Sequence, residues 1–235
     1  MRKFFTDFEY KDGIDTVTIS GDEAKHILKV LRFKVGDKLI LSNFNEQSFE
    51  AEILDISLKN CIVKLLKKID ITVFQGYPKN DKLEIIVQKL TELGIKEIVP
   101  TLTKRVNLKF NFKDFKLDRL NRVAKEACKQ CGISSIPVIN TPIKLDDIKQ
   151  SDLQKFDLIL VPYENETKKF RDLLKEINFV KTIAVFIGPE GGFEESEIEY
   201  IRNLGGNSIS LGQRILRTET ASIFVSSVLQ YEFGN

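Results

Sequence analysis

Polar and apolar side chains alternate at Thr16-Val17-Thr18-Ile19, the period-two pattern of a half-buried strand. Ser20-Gly21-Asp22-Glu23 follows with the spacing of a capping box, Ser20 as N-cap and Glu23 at N3. It predicts a helix that carries Ile27, Leu28 and Leu31 and stops before Val35-Gly36-Asp37. Lys38 to Ser42, Ser48 to Ile56 and Cys61 to Leu66 read as further strands, parted by turn-forming Asn43-Phe44-Asn45 and Lys59-Asn60. Strands this short around one helix predict a small β-barrel over residues 1–70.

Beyond Asp70 the pattern changes to strands alternating with helices. Ile71 to Phe74 reads as a strand; Leu83, Ile86, Val87, Leu90 and Leu93 then mark one face of a helix from Lys82 to Leu93, with Gly94 at its C′ position. Glu97 to Leu102 is a strand, Leu117 to Cys131 a helix and Ile136 to Ile139 a strand. Asp157 to Val161 and Thr182 to Ile187 are the unbroken apolar runs of a buried parallel sheet, joined by Ser208-Ile209-Ser210. Helices from about Glu166 to Ile177, Glu194 to Leu204 and Thr218 to Tyr231 complete an α/β domain over residues 71–235.

Composition narrows the class. With 42% apolar and 30% charged residues and 17 Phe in 235, the chain has the means to bury a core and is not a disordered one. Its apolar runs are short, Ile183 to Ile187 stopping at Gly188, and Met1-Arg2-Lys3 leads into only two apolar residues. A cytoplasmic protein is expected. The net charge of +2 is unevenly spread: residues 1–70 are neutral, 71–140 carry +6 and 141–235 carry −4. A polyanion partner is therefore expected at the middle third.

There, Lys104, Arg105, Lys109 and Lys113 interleave with Phe110, Phe112 and Phe115. That is the pattern of a phosphate-and-stacking surface, and equally of a solvated loop pinned by aromatic side chains. Three cysteines and a single histidine argue against a disulfide framework and against a metal site. Cys128 and Cys131, although spaced C-x-x-C, read as buried helix cysteines.

In an open α/β sheet, ligands bind beyond the carboxyl ends of the strands. Three segments occupy such positions: Val161-Pro162-Tyr163, Gly188-Pro189-Glu190-Gly191-Gly192, and Leu211-Gly212-Gln213-Arg214-Ile215-Leu216-Arg217. The glycine-rich loop lets backbone approach a ligand, but no Gly-Lys-Ser/Thr follows it and the chain has no G-x-G-x-x-G fingerprint. It reads equally as a tight strand-to-helix turn, with Phe193 at N′ and Glu194 or Glu195 near the helix start. The third segment offers backbone amides and carbonyls between Leu211, Ile215 and Leu216, suited to the edge of a flat base. Thr218 is placed to cap the helix after it.

With Glu197-Ile198 and Thr218-Glu219-Thr220-Ala221 added, these motifs closely resemble the RsmE family of ribosomal small-subunit RNA uridine N3-methyltransferases, which have the SPOUT trefoil-knot fold. Lys25 to Arg32 with Gly36-Asp37, Gln88-Lys89 with Glu92-Leu93-Gly94, and Glu126 to Gly132 extend the resemblance nearly end to end; Ile133 stands where many members have Arg. The resemblance implies an RNA-binding PUA-like barrel at residues 1–70 and a knotted α/β methyltransferase domain at 71–235, where periodicity alone describes an ordinary open sheet. It implies a homodimer that methylates N3 of a uridine in 16S rRNA of the small ribosomal subunit with S-adenosylmethionine.

The implied cofactor residues are Val161, Gly188, Pro189, Glu190, Gly191, Gly192, Leu211, Gly212, Ile215, Leu216, Arg217, Thr220 and Ala221. Arg217 and Glu219 are the expected catalytic pair, although Glu219 also suits first-turn stabilisation of a helix. Arg32, Lys79, Arg105 and His26 are the expected RNA contacts, and no metal is expected. A non-catalytic RNA-binding or ribosome-assembly protein, and a SPOUT methyltransferase for another nucleotide, are the alternative functions.

Overall fold

A computed structural model of the chain describes residues 2–8, 16–43, 48–57, 59–65, 69–79, 81–106, 115–133, 135–177 and 180–234. Phe44, Asn45, Leu66, Lys109, Phe110, Phe112 and Lys113, used in the expectations above, lie outside them. The chain divides into two compact units, residues 1–68 with 233–235, and 69–232.

In the first unit, strands β1 (Lys3–Phe5), β2 (Thr16–Ile19), β3 (Lys38–Ser42), β4 (Ser48–Ile56) and β5 (Cys61–Leu65) form one sheet in the order β1-β3-β4-β5-β2. Alternation decides what is buried. Val17 and Ile19 of β2 and Cys61, Val63 and Leu65 of β5 face one core with Leu39, Leu41, Ala51 and Ile53. Helix α1 (Gly21–Lys25) covers that core with Ala24, and Ile27 follows it in.

The expected capping box is not formed. Ser20 makes no side-chain cap bond, because Gly21 opens the helix at φ 68° and the regular first turn that the box requires is missing. Asp22 pairs with Lys25 instead, at 2.8 Å. The helix then widens into a π turn over His26–Val30, with the Leu31 amide donating to the His26 carbonyl.

The second unit is α/β throughout. Its elements are β6 (Asp70–Gly76), α2 (Lys82–Glu92), β7 (Glu97–Leu102), α3 (Leu117–Cys131), β8 (Val138–Ile139), β9 (Ile143–Lys144), α4 (Gln150–Leu153), β10 (Leu158–Pro162), α5 (Phe170–Glu176), β11 (Thr182–Ile187), α6 (Glu195–Asn203), β12 (Asn207–Ile209) and α7 (Thr218–Leu229). All pairings in its seven-stranded sheet are parallel, in the order β12-β10-β11-β6-β7-β8, with β9 also on β7. β10, β11 and β6 lie inside the sheet, which is why their sequences are apolar runs.

Phe74 of β6 pairs in register with Phe186 of β11, and their rings stack at 4.5 Å. Together with Ile159, Val161 and Ala184 they face a core closed by Ile198 and Ile201 of α6. Helix α2 packs against both α3 and α7. It ends at Leu93 because Gly94 takes φ 71°, as its position past the apolar stripe predicts.

Three further expectations are corrected. Helix α5 starts at Phe170 rather than Glu166, since the Glu166 carboxylate accepts bonds from the Thr167 and Lys168 amides and holds that stretch as a loop. Arg217, not Thr218, is the N-cap of α7. Cys131 is exposed, on the solvent side of α3, while Cys128 is buried as expected.

Candidate active site

A cavity of about 560 Å³ opens at the carboxyl ends of β10, β11 and β12, lined by residues 162–164, 187–193 and 210–218 with Lys82 and Ala221. One wall is the glycine-rich loop. The Gly192 amide donates to the Pro189 carbonyl at 2.9 Å, closing a turn in which Gly192 sits at φ 68°. A Cβ on Gly188 would lie 3.2 Å from the Gly192 Cα, so a side chain there would require the loop to shift by a few tenths of an ångström. The strand-to-helix turn and the cavity wall are thus one object: Phe193 is buried beneath it and Glu194 caps α6.

The second wall is the connection from β12 to α7. None of the amides from Gln213 to Arg217 bonds to another described residue. Ile215 is 85% exposed, an unusual position for a large apolar side chain. These are the free donors and greasy surface that the sequence pattern anticipates.

Charge is concentrated at the third side. The Lys82 ammonium lies 3.3 Å from Glu190 Oε1 and 3.5 Å from Glu219 Oε2. That Glu219 oxygen is buried and accepts no hydrogen bond, which leaves Lys82 as the nearby compensating charge. Burial pushes the Glu190 carboxyl upward, but the Lys79 amide at 3.0 Å, its own amide and Lys82 outweigh it and hold the group below the usual carboxylate range.

A latch sits outside the glycine loop. Arg105 Nη1 donates to the Gly191 carbonyl at 2.6 Å. Next to it the Lys104 amide donates to Glu197 Oε1 at 2.8 Å, and Lys104 Nζ reaches Ser196 Oγ at 2.9 Å. The second oxygen of Glu197 accepts the Glu194 amide, so this buried carboxylate ties the loop after β7 to the start of α6.

Of the expected cofactor residues, Gly188, Pro189, Glu190, Gly191, Gly192, Leu211, Gly212, Ile215, Leu216, Arg217 and Ala221 line the cavity. Val161 does not, because strand alternation turns it into the core beside Ile159 and Ala184. Thr220 is exposed on α7, outside the lining. Glu219 lies behind Lys82, and Arg217 lines the cavity as an exposed N-cap. Lys79 and Arg105 are tied to the glycine loop through Glu190 and Gly191. His26 and Arg32 belong to the first unit. His26 meets Phe4 edge-on, and Arg32 sits at φ 56°, strained for a residue with a side chain.

Lys82, Glu164, Gly76 and Gln75 were not anticipated. Gln75 and Gly76 carried a signal: a polar residue and a glycine ending an otherwise apolar, buried strand. Among the described residues no cluster of three or more His, Cys, Asp or Glu could hold a metal, and no helix is long and apolar enough to cross a membrane.

Comparison with known proteins converges on one family. A family model described as an RNA methyltransferase domain matches residues 65–230, and one described as an RNA methyltransferase PUA domain matches residues 19–66. The ribosomal RNA small subunit methyltransferase E of Bacillus subtilis is 30% identical over 249 aligned residues, covering 99% of this chain and 97% of that protein. The chain belongs to the RsmE family.

Its RsmE relative from Buchnera aphidicola of Acyrthosiphon pisum is 34% identical over 91% of this chain and 87% of its own. Among solved structures, the Legionella pneumophila methyltransferase Lpg2936 with SAM bound superposes at a TM-score of 0.64. It is 31% identical, covering 97% of this chain and 96% of that one. The Neisseria gonorrhoeae RsmE bound to S-adenosylmethionine gives 0.60 at 25% identity over 100% and 98%.

Proposed function

We propose that this protein transfers the methyl group of S-adenosylmethionine to N3 of a uridine in 16S rRNA of the small ribosomal subunit. The observation that carries the reading is the cavity whose walls are the glycine-rich loop and the β12–α7 connection. Its size falls in the ~300–1,000 Å³ range of small-molecule sites. Its chemistry suits the cofactor: unengaged amides and apolar Leu211, Ile215 and Leu216 for a nucleobase, and the carboxylates of Glu164 and Glu190 for a cationic ligand.

When bound, S-adenosylmethionine supplies an electrophilic sulfonium methyl. The protein's part is to hold and orient. Residues 188–192 and 211–216 grip the cofactor, and Arg217, on the rim, orients the uracil or its phosphate. Uracil N3 is a poor nucleophile while it carries its proton, which must leave as the N3–methyl bond forms. Glu219, whose Oε2 lies 3.5 Å from the Lys82 ammonium, is the carboxylate assigned to accept that proton. The fold is read as a trefoil knot formed by the segments around Gly188 to Gly192 and Leu211 to Arg217, a link consistent with the Thr218 hydroxyl bonding the Gly188 carbonyl at 2.6 Å.

Residues 1–70 serve as the PUA-like RNA-holding domain, with His26 and Arg32 beside RNA and Lys79 and Arg105 as basic contacts of the methyltransferase domain. A cytoplasmic homodimer is part of the same reading, with exposed Phe224 and Tyr231 as apolar surface for it. Calorimetric titration with S-adenosylmethionine tests the cavity assignment. Wild-type protein should bind, and Gly191→Val, whose side chain would press on Arg105 Cβ 3.3 Å from the new Cβ, should not. Equal binding by the two would reject it.

A further inference from the structure

Gln75 is a completely buried polar side chain in the apolar strand β6, outside the cavity lining, and one of its three hydrogen bonds reaches Thr218 of the β12–α7 wall. Nε2 lies 2.9 Å from Thr218 Oγ1 and 2.9 Å from the Gly76 carbonyl, while Oε1 accepts from the hydroxyl of Ser222, itself fully buried. Thr218 Oγ1 also lies 2.6 Å from the Gly188 carbonyl.

The donor and acceptor inventory leaves one polarity for this chain of bonds. A carbonyl oxygen only accepts, so the single hydroxyl proton of Thr218 goes to Gly188. Thr218 Oγ1 must then accept from Gln75, which turns the amide nitrogen toward Thr218 and its oxygen toward Ser222. Gln75 thereby fixes the direction of a relay that joins β6, the start of the glycine loop and the first turn of α7. Arg217 and Glu219 flank the residue it grips.

We propose that Gln75 is a positioning residue for the cofactor cavity, acting through Thr218 to lock the first turn of α7 onto the Gly188 carbonyl. The inference rests on the cofactor reading above and adds to it the device that holds the two walls in register. Gln75 touches no ligand. Its loss should leave the walls present but free to part, because the Thr218 hydroxyl is left with an unfilled lone pair in a dry site.

The test is calorimetric binding of S-adenosylmethionine to the full chain and to Gln75→Met, Thr218→Val and the double variant, with thermal midpoints recorded alongside. Gln75→Met should weaken binding roughly tenfold, the effect of one buried hydrogen bond of ~1–1.5 kcal/mol. The double variant should bind no more weakly than Thr218→Val alone, since a residue that acts through another adds nothing once that other is gone. KM for the cofactor should rise while KM for RNA stays unchanged.

Thr182→Val is the control for stability alone. It removes bonds to Asp157 and Lys155 at the far, amino end of β11, and should lower the midpoint without altering cofactor affinity. Should Gln75→Met fail to fold, Ser222→Ala removes the donor to Gln75 Oε1 and should still weaken binding measurably. A wild-type chain that does not bind overturns the cofactor reading itself. A wild-type chain that binds, beside relay variants that bind equally well or whose losses simply add, overturns the positioning role alone.

Discussion

Gly76 and Pro189 are in backbone contact: a Cβ added to Gly76 would lie 2.4 Å from the Pro189 nitrogen and 2.7 Å from its Cδ. The end of β6 thus serves as the surface on which the glycine-rich loop rests. Gly76→Ala should push that loop outward, because the obstruction is backbone and cannot rotate away. A loss of ~1–3 kcal/mol in urea denaturation is expected, the range for overpacking, together with loss of cofactor binding. Unchanged stability and binding would show that the loop accommodates a methyl group.

Lys82 separates two carboxylates. In Lys82→Met, Glu190 and Glu219 face each other without their cation, and the Glu190 carboxyl loses part of what holds it down. A carboxyl held below its unfolded value contributes above that value and loses its effect as pH falls through the folded one. With the depression reduced, the Glu190 carboxylate in the cavity wall takes up its proton at higher pH. The acid limb of a methyl-transfer pH profile should therefore move upward in this variant, and superimposable limbs would contradict the role given to Lys82.

Arg105 separates two accounts of a basic residue. Bonded to the Gly191 carbonyl, it supports the cavity wall, whereas a phosphate contact would neutralise RNA charge. Arg105→Ala should weaken S-adenosylmethionine binding several-fold, given ~0.5–1.5 kcal/mol for such a bond. Its effect on RNA is read from the salt dependence: a slope lower by about 1 marks a direct phosphate contact, and an unaltered slope marks the latch alone.

Glu166 predicts an acid limb of stability that has nothing to do with the cavity. The Ser208 hydroxyl and the Thr167 amide hold its carboxyl at about 2, against an ordinary 4.5, with lesser help from the Lys168 amide and Arg202. Because the folded value is the lower one, the contribution is complete above about 4.5 and fades as pH falls from there toward about 2. In urea denaturation, Glu166→Gln should be less stable than wild type at pH 7, and the difference should narrow as pH falls below about 4.5 and close only near about 2. A gap that persists at low pH would refute the assignment.

How far the sequence reaches is seen element by element. Leu117–Cys131 is the helix that its apolar spacing predicts, and β11 coincides with the run Thr182–Ile187, because long periodic or fully buried segments leave little choice. Glu166 and Thr218 misled for the same reason. Each looks like a helix start, but its side chain bonds to distant partners, Ser208 and Arg202 for one, Gln75 and Gly188 for the other. Lys82 reads as an ordinary surface position of an amphipathic helix until folding brings it to Glu190 and Glu219, both more than a hundred residues away. The loops that line the cavity were legible as motifs, whereas the contacts that brace them are products of topology.

The product of the reaction is a modified base in the small-subunit rRNA. Nucleoside mass spectrometry of small-subunit rRNA from a strain lacking this gene, against the same strain with the gene restored, measures it directly. The predicted result is loss of one N3-methyluridine in the deletion, regained with the wild-type gene and not with Gly191→Val. Persistence of every N3-methyluridine in the deletion strain would contradict the central claim.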